Sequence, residues 1–118
     1  MKAESRTFCT LFDVNYAVRA LALYRSLEAT HRSFTLRMFC MDDEAKRAID
    51  GLALPFAETV SIGALEAHDP ELAAVRPGRK AVEYCWTATP AVCLYCLERD
   101  PSLTEITYLD ADLMFFSD

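Results

Sequence analysis

Hydrophobic and polar positions repeat with two periods along this chain, one that suits strands and one that suits helices. Thr7 to Phe12 is a short apolar run of the kind a buried strand needs. Asp13 is then placed to cap a helix from about Val14 to Ala29. Val14, Ala17, Val18, Leu21 and Tyr24 recur there at helical spacing. Phe34 to Met41 predicts a second strand, with Phe34, Leu36, Met38 and Cys40 on one face. Asp42 or Asp43 opens a short helix that Gly51 can end. Glu58 to Ile62 predicts a third, weaker strand. Ala64 to Val75 predicts a short helix interrupted near Pro70, and Arg76-Pro77-Gly78-Arg79-Lys80 a loop. The helical pattern after this loop is divided by Pro90, with Thr89 as cap and Pro90 as the first helical residue of the second piece. Asp100-Pro101 stops that helix, and Glu105 to Leu109 is the fourth strand.

The order β-α-β-α-β-α-β predicts an α/β fold with a mostly parallel sheet and helices on both faces. Ligands of such sheets bind outside the carboxyl ends of the strands. Asp13, after the first strand, is therefore expected near Asp110 and Asp112, after the fourth. With 118 residues and no repeat, linker or low-complexity tract, residues 1–118 are expected to form one domain.

Composition narrows the function classes. Apolar residues make up 53% and charged residues 25%, an ordinary globular mixture. A net charge of −6 makes nucleic acid a poor partner, because phosphate binding needs a basic face. A nucleotide is not excluded, since a few local donors and a metal suffice to hold it. No apolar run approaches the ~20 residues of a spanning helix, and the N-terminus lacks a signal-peptide core. The five cysteines are an odd number scattered through apolar segments, which suits buried thiols in a reducing cytoplasm.

The candidate chemistry centres on Tyr108-Leu109-Asp110-Ala111-Asp112, a strand-type run that delivers two carboxylates one residue apart. The pair is too close in sequence for opposite roles across a substrate, and suits one hard cation with oxygen ligands, Mn²⁺ or Mg²⁺. Such a cation neutralises a diphosphate and stabilises it as a leaving group. Solvated turn residues or a helix cap would give the same spacing. Asp13, Asn15 and Tyr16 offer an acceptor for a base N–H, a partner for a ribose hydroxyl and a ring to stack on a base. They also suit a plain helix start. Arg76, Arg79 and Lys80 are a basic cluster within reach of a diphosphate, or an ordinary solvated loop.

Three blocks, in order, carry a resemblance to a known family. They are Thr10-Leu11-Phe12-Asp13-Val14-Asn15-Tyr16-Ala17, then Cys85-Trp86-Thr87, then Tyr108-Leu109-Asp110-Ala111-Asp112. Together they resemble the N-terminal, nucleotide-sugar-binding half of glycosyltransferase family eight, which includes glycogenin and bacterial lipopolysaccharide galactosyltransferases. The resemblance implies a GT-A, Rossmann-like fold and Mn²⁺-dependent, retaining transfer of a hexosyl group from a nucleotide-diphosphate sugar, usually a UDP-sugar, to an acceptor hydroxyl. By position it implies that Leu11, Asp13, Asn15 and Tyr16 line the base and ribose site. Asp110 and Ala111 would lie against the donor, with Asp110 and Asp112 as metal ligands. Where the family places a basic residue in the following helix, Val82 and Thr89 stand here, so Arg79 or Lys80 takes that role. The family's remaining metal ligand, a histidine, and its acceptor-binding residues come after the acidic pair, where this sequence has no counterpart. The chain is accordingly expected to be a donor-binding half, inactive alone, whose truncated sheet edge promotes self-association. A non-catalytic nucleotide-sugar-binding or assembly fragment is the alternative.

Other signals carry less. Cys93-Leu94-Tyr95-Cys96 has thiol-pair spacing but falls inside a helix, where it marks a buried stripe. His31 and His68 read as surface residues. Trp86 is expected as a core anchor or a wall of the donor pocket, and Phe115-Phe116 as core or as contact with the missing half, ahead of a membrane wedge. A dehalogenase-like phosphohydrolase also uses Asp-x-Asp, but on its first strand and followed by Thr or Val, whereas Leu113 follows here.

Overall fold

The computed structural model describes residues 6–31 and 33–110. Four parallel strands form one sheet in the order β3-β2-β1-β4. They are β1 (Arg6–Phe12), β2 (Phe34–Cys40), β3 (Ala57–Ser61) and β4 (Thr107–Tyr108). Helices α1 (Ala17–Thr30) and α2 (Asp43–Asp50) make the first two crossovers. The third contains α3 (Ile62–His68), α4 (Pro70–Val75) and α5 (Ala81–Arg99).

Alternation along the strands divides the core in two. Phe8 and Phe12 of β1, with Phe34, Leu36, Met38 and Cys40 of β2, meet Leu23, Tyr24 and Leu27 of α1 and Ala45 and Ile49 of α2. On the other face Cys9, Leu11, Phe39 and Met41 meet Leu65, Leu72, Tyr84, Ala88, Val92 and Cys96. Burial on both faces is why β1 and β2 read as nearly continuous apolar runs. Among the described residues no helix is long and apolar enough to cross a membrane.

The elements fall where the pattern puts them, with three corrections. First, residues Val14–Tyr16 form a tight 3₁₀ turn and α1 begins at Ala17. Counting at 3.6 residues per turn from Val14 therefore misplaces the buried stripe. Val18 is 79% exposed, while Ala20, Leu23, Tyr24 and Leu27 are buried.

Second, Pro90 lies inside a continuous α5 and does not start a new helix. It is exposed, so the carbonyl it leaves without an amide partner faces water. Ala88 and Val92, on either side of it, are fully buried and pin the helix to the sheet. Thr89 is not a cap; its hydroxyl donates to the Cys85 carbonyl at 3.0 Å. Third, Trp86 is 70% exposed and anchors nothing in the core.

Arg37 of β2 ties the third crossover to the sheet. It donates to Glu58 of β3 at 3.0 Å and to Asp100, at the end of α5, at 2.9 Å. The five cysteines are free thiols, and Cys9 and Cys96 pack face to face beneath α5. His31 is half-buried, with its ring edge-on to Phe8. His68 bonds Glu98 at 2.8 Å.

One polar atom in this core stands out. The Thr10 hydroxyl is fully buried on β1 and has no hydrogen-bond partner among the described residues. A buried hydroxyl without a partner costs on the order of 1–3 kcal/mol. Thr10→Val keeps the branched shape and removes that cost. It is expected to raise the free energy of urea unfolding by about 1 kcal/mol with an unchanged denaturant slope. A loss of stability in Thr10→Val would show that the hydroxyl is satisfied.

Candidate functional site

The sheet order reverses between β1 and β4, because the chain builds outward through β2 and β3 and then returns to the other side of β1. Loops leaving two adjacent strands diverge there to opposite faces and leave a crevice at the carboxyl edge. A cleft of about 410 Å³ opens at this edge, lined by Asp13, Met41, Asp42, Arg76, Arg79, Tyr84 and Cys85.

Two aspartates hold its first wall. Asp13 follows β1 directly and caps the 3₁₀ turn, accepting from the Asn15 N–H at 3.0 Å. Asp42 follows β2 and accepts from two directions. One oxygen takes the Ala45 N–H at 2.7 Å, capping α2, and the other takes the Val14 N–H at 3.0 Å. This carboxylate fastens the loop after β1 to the loop after β2.

The opposite wall comes from the third crossover. Glu66 of α3 accepts from the Tyr84 hydroxyl at 2.5 Å and from Arg76 at 3.0 Å. The Arg76 guanidinium also lies over the Tyr84 ring, 5.3 Å from its centroid. Burial and the adjacent Glu66 carboxylate push the Tyr84 hydroxyl pKa up. Burial, together with the charge of Asp13, raises the Cys85 thiol as well, so this thiol stays protonated at neutral pH. Arg76 is thus neutralised by Glu66, whereas Arg79 makes no ion pair among the described residues. The cleft presents two carboxylates committed to backbone amides and one guanidinium without an anion.

The residues expected from the sequence are divided by the fold. Asp13 and Arg79 line one cleft although far apart in the chain. Asn15 and Tyr16 stand exposed on the turn above it, and the Tyr16 ring carries the Arg19 guanidinium at 5.0 Å. Leu11 is buried in the core between the sheet and α5 and does not line the cleft. Lys80 is exposed at the start of α5, outside the lining, and its N–H donates to Glu83 at 3.0 Å. Asp110 is exposed just beyond β4, also outside the lining. Ala111 and Asp112, and with them half of the acidic pair, lie outside the described residues, as do Phe115 and Phe116. Among the described residues no group of three or more His, Cys, Asp or Glu side chains could hold a metal ion. Asp42 and Tyr84 were missed as lining residues. Asp42 comes two residues after β2, one further than Asp13 after β1, and each caps the helical turn that follows its strand; that shared role was the available signal.

The fold and cleft define an open parallel α/β protein with a candidate ligand site at the carboxyl edge of its sheet. No family model matches the chain. It is 32% identical over 111 residues to the uncharacterized protein YfnF of Bacillus subtilis (strain 168), covering 94% of this chain and 36% of that protein. It is 27% identical over 111 residues to the uncharacterized protein YfnD of the same organism, covering 94% of this chain and 35% of that protein. The chain spans about a third of the length of these curated relatives.

Two outcomes test this wall-by-wall account. Asp42→Ala removes both acceptors and is expected to cost about 1–2 kcal/mol in urea unfolding, with Asp42→Asn costing less than half as much. Glu66→Gln removes a charge that raises the Tyr84 hydroxyl. An ultraviolet tyrosinate titration, with Tyr84→Phe as the reference, should then show the Tyr84 pKa lower than in the parent chain. An unchanged titration would mean that Glu66 is not the acceptor.

Proposed function

We propose that this chain is the donor-binding part of a GT-A-type glycosyltransferase related to family eight, holding a nucleotide-diphosphate sugar, most simply a UDP-sugar, at the carboxyl edge of its sheet. The observation that carries the reading is the cleft beyond the carboxyl ends of β1 and β2, which Asp13 and Arg79 both line, Arg79 making no ion pair among the described residues. A diphosphate supplies the anion that Arg79 lacks, and a guanidinium meets phosphate oxygens with two donors in one plane. Asp13 keeps an oxygen beyond the one that caps the turn, enough to accept from a base N–H. Tyr16, exposed beside it, offers a face for stacking.

The acidic pair fits a divalent cation by donor type. Carboxylate oxygens suit Mn²⁺ or Mg²⁺, and the resemblance puts both Asp110 and Asp112 in that role. Bound there, the cation would offset the diphosphate charge. The chain's own residues do the rest of the binding. Arg79 draws the diphosphate toward the cleft wall, the loop fastened by Asp42 fixes Asp13 relative to the sheet, and the Glu66 brace fixes the wall that carries Arg79. In the complete reaction the bond between the anomeric carbon and the diphosphate breaks, and a bond to the acceptor hydroxyl forms with retention of configuration. The acceptor side of that reaction is not assigned to any residue of this chain. The cytoplasm, where nucleotide sugars are made and thiols stay reduced, is the fitting compartment.

Calorimetric titration with a panel of nucleoside diphosphates and their sugar esters tests the proposal. Binding is expected to favour one base and to require Mn²⁺. Asp112→Ala should abolish the metal requirement together with the binding, and Asp13→Ala or Arg79→Ala should weaken it by about tenfold or more, roughly 1.4 kcal/mol each. Equal binding with and without metal would sink the role of the acidic pair. Unchanged binding by Arg79→Ala would sink the cleft.

A further inference from the structure

Arg76 and Arg79 enter the cleft from one tight turn. Residues Arg76–Gly78 form a 3₁₀ helix, and the Arg79 N–H donates to the Arg76 carbonyl at 3.1 Å. Both residues line the cleft. They differ in what holds them. Arg79 makes no ion pair among the described residues, while Arg76 is paired with Glu66.

That pair is lopsided. Both of its hydrogen bonds leave a single nitrogen, from Arg76 Nη1 to Glu66 Oε2 at 3.0 Å and to Oε1 at 3.3 Å. A fork-to-fork pair would use two nitrogens. Among the described residues Nη2 and Nε of Arg76 donate no hydrogen bond. Glu66 is the better anchored of the two partners. Its side chain is 18% exposed against 46% for Arg76, and it also accepts from the Tyr84 hydroxyl at 2.5 Å.

Taking the cleft as the diphosphate site proposed above, we infer that Glu66 is a built-in competitor for the bound anion. A diphosphate draws Arg76 off Glu66 and is held by Arg76 and Arg79 together, so the Glu66 charge sets how tightly it binds. The two phosphoryl groups match two guanidiniums in number and in donor type. The charge count makes Glu66 decisive. Asp13 and Asp42 offset Arg76 and Arg79 in the lining, and Glu66 behind them leaves one negative charge in excess. The exchange costs little on either side. An ion pair open to water is weak, because solvent screens it. Glu66 keeps the Tyr84 hydroxyl when Arg76 leaves, so no carboxylate is stranded without a donor. Arg76 keeps the Tyr84 ring, 5.3 Å from its guanidinium, as a platform to turn on.

Inorganic pyrophosphate is the probe, titrated by calorimetry at low ionic strength and one fixed Mg²⁺ concentration. The parent chain is compared with Glu66→Gln, Arg76→Ala and the double variant. Glu66→Gln keeps an oxygen for the Tyr84 hydroxyl and removes the competing charge. It is expected to bind pyrophosphate about fivefold tighter than the parent. Arg76→Ala should weaken binding by a similar factor, and the double variant should lose the gain. Glu71→Gln removes an exposed charge on α4 outside the lining. It should change binding by less than about twofold, because solvent screens that charge. Circular dichroism would confirm that each variant keeps its helices. Unchanged or weaker binding by Glu66→Gln overturns the inference, since a carboxylate that only braces the wall gives that result. A gain that survives in the double variant overturns it too, because Glu66 would then repel the anion without Arg76. So does a lack of pyrophosphate binding in every variant. Tighter pyrophosphate binding by Glu66→Gln, with no response to any nucleotide sugar, supports the competition and removes the nucleotide-sugar reading. Nucleotide-sugar binding with no pyrophosphate gain in Glu66→Gln does the reverse.

Discussion

The structure depends on one constraint, that a parallel sheet must be covered on both faces. Each of β1, β2 and β3 is followed by a crossover, and a right-handed crossover puts its helix on the face set by the direction of travel. Moving outward from β1 to β3, the chain lays α1 and α2 on one face. Returning to β4 on the far side of β1, it must lay α3, α4 and α5 on the other. Phe8 and Phe12 on one side of β1, and Cys9 and Leu11 on the other, are the sequence counterpart of that reversal. The crevice at the carboxyl edge is therefore a consequence of how the core is covered and needs no separate local explanation.

What turns the crevice into a site is the way its polar groups are committed. Asp42 spends both oxygens on backbone amides of two different loops. Glu66 meets a tyrosine and an arginine at once. These bonds join separate elements, so they brace each wall of the cleft internally. A network satisfied in this way is rigid, and the group it leaves out becomes chemically available. Among the described residues Arg79 is that group in the lining. It makes no ion pair there and stands on a wall braced by Arg76 and Glu66, which is what the proposed diphosphate site requires.

Most of the fold was legible because its signals are local. Alternation at Phe34, Leu36, Met38 and Cys40 gives β2 and its inner face, and acidic residues after the first two strands mark the turns into helices. The failures have local causes of a different kind. The tight turn at Val14–Tyr16 changes the helical phase in a way composition does not reveal. Pro90 reads as a break because propensity carries no knowledge of Ala88 and Val92 gripping the sheet on either side. Trp86 reads as core because large aromatics usually are, and only the phase of α5 about its buried side turns it outward. The cleft was legible at Asp13 and at the basic loop. Tyr84 was not, since its place in the cleft comes from a hydrogen bond to Glu66 that no spacing predicts.

An acidic protein with the proposed anion site is not a contradiction, and the reason is range. At physiological ionic strength charges separated by more than about 8 Å are largely screened. The net charge of −6 is carried mostly by exposed carboxylates on helix surfaces and turns, such as Asp43, Glu44 and Glu71. Within the cleft the relevant count is local, with Glu66 cancelling Arg76 and the two aspartates spread over backbone amides. An anion arriving there meets Arg79 at short range and the remaining negative charge only through solvent. In the proposed complex a hard divalent cation at the acidic pair would shift that local count toward positive.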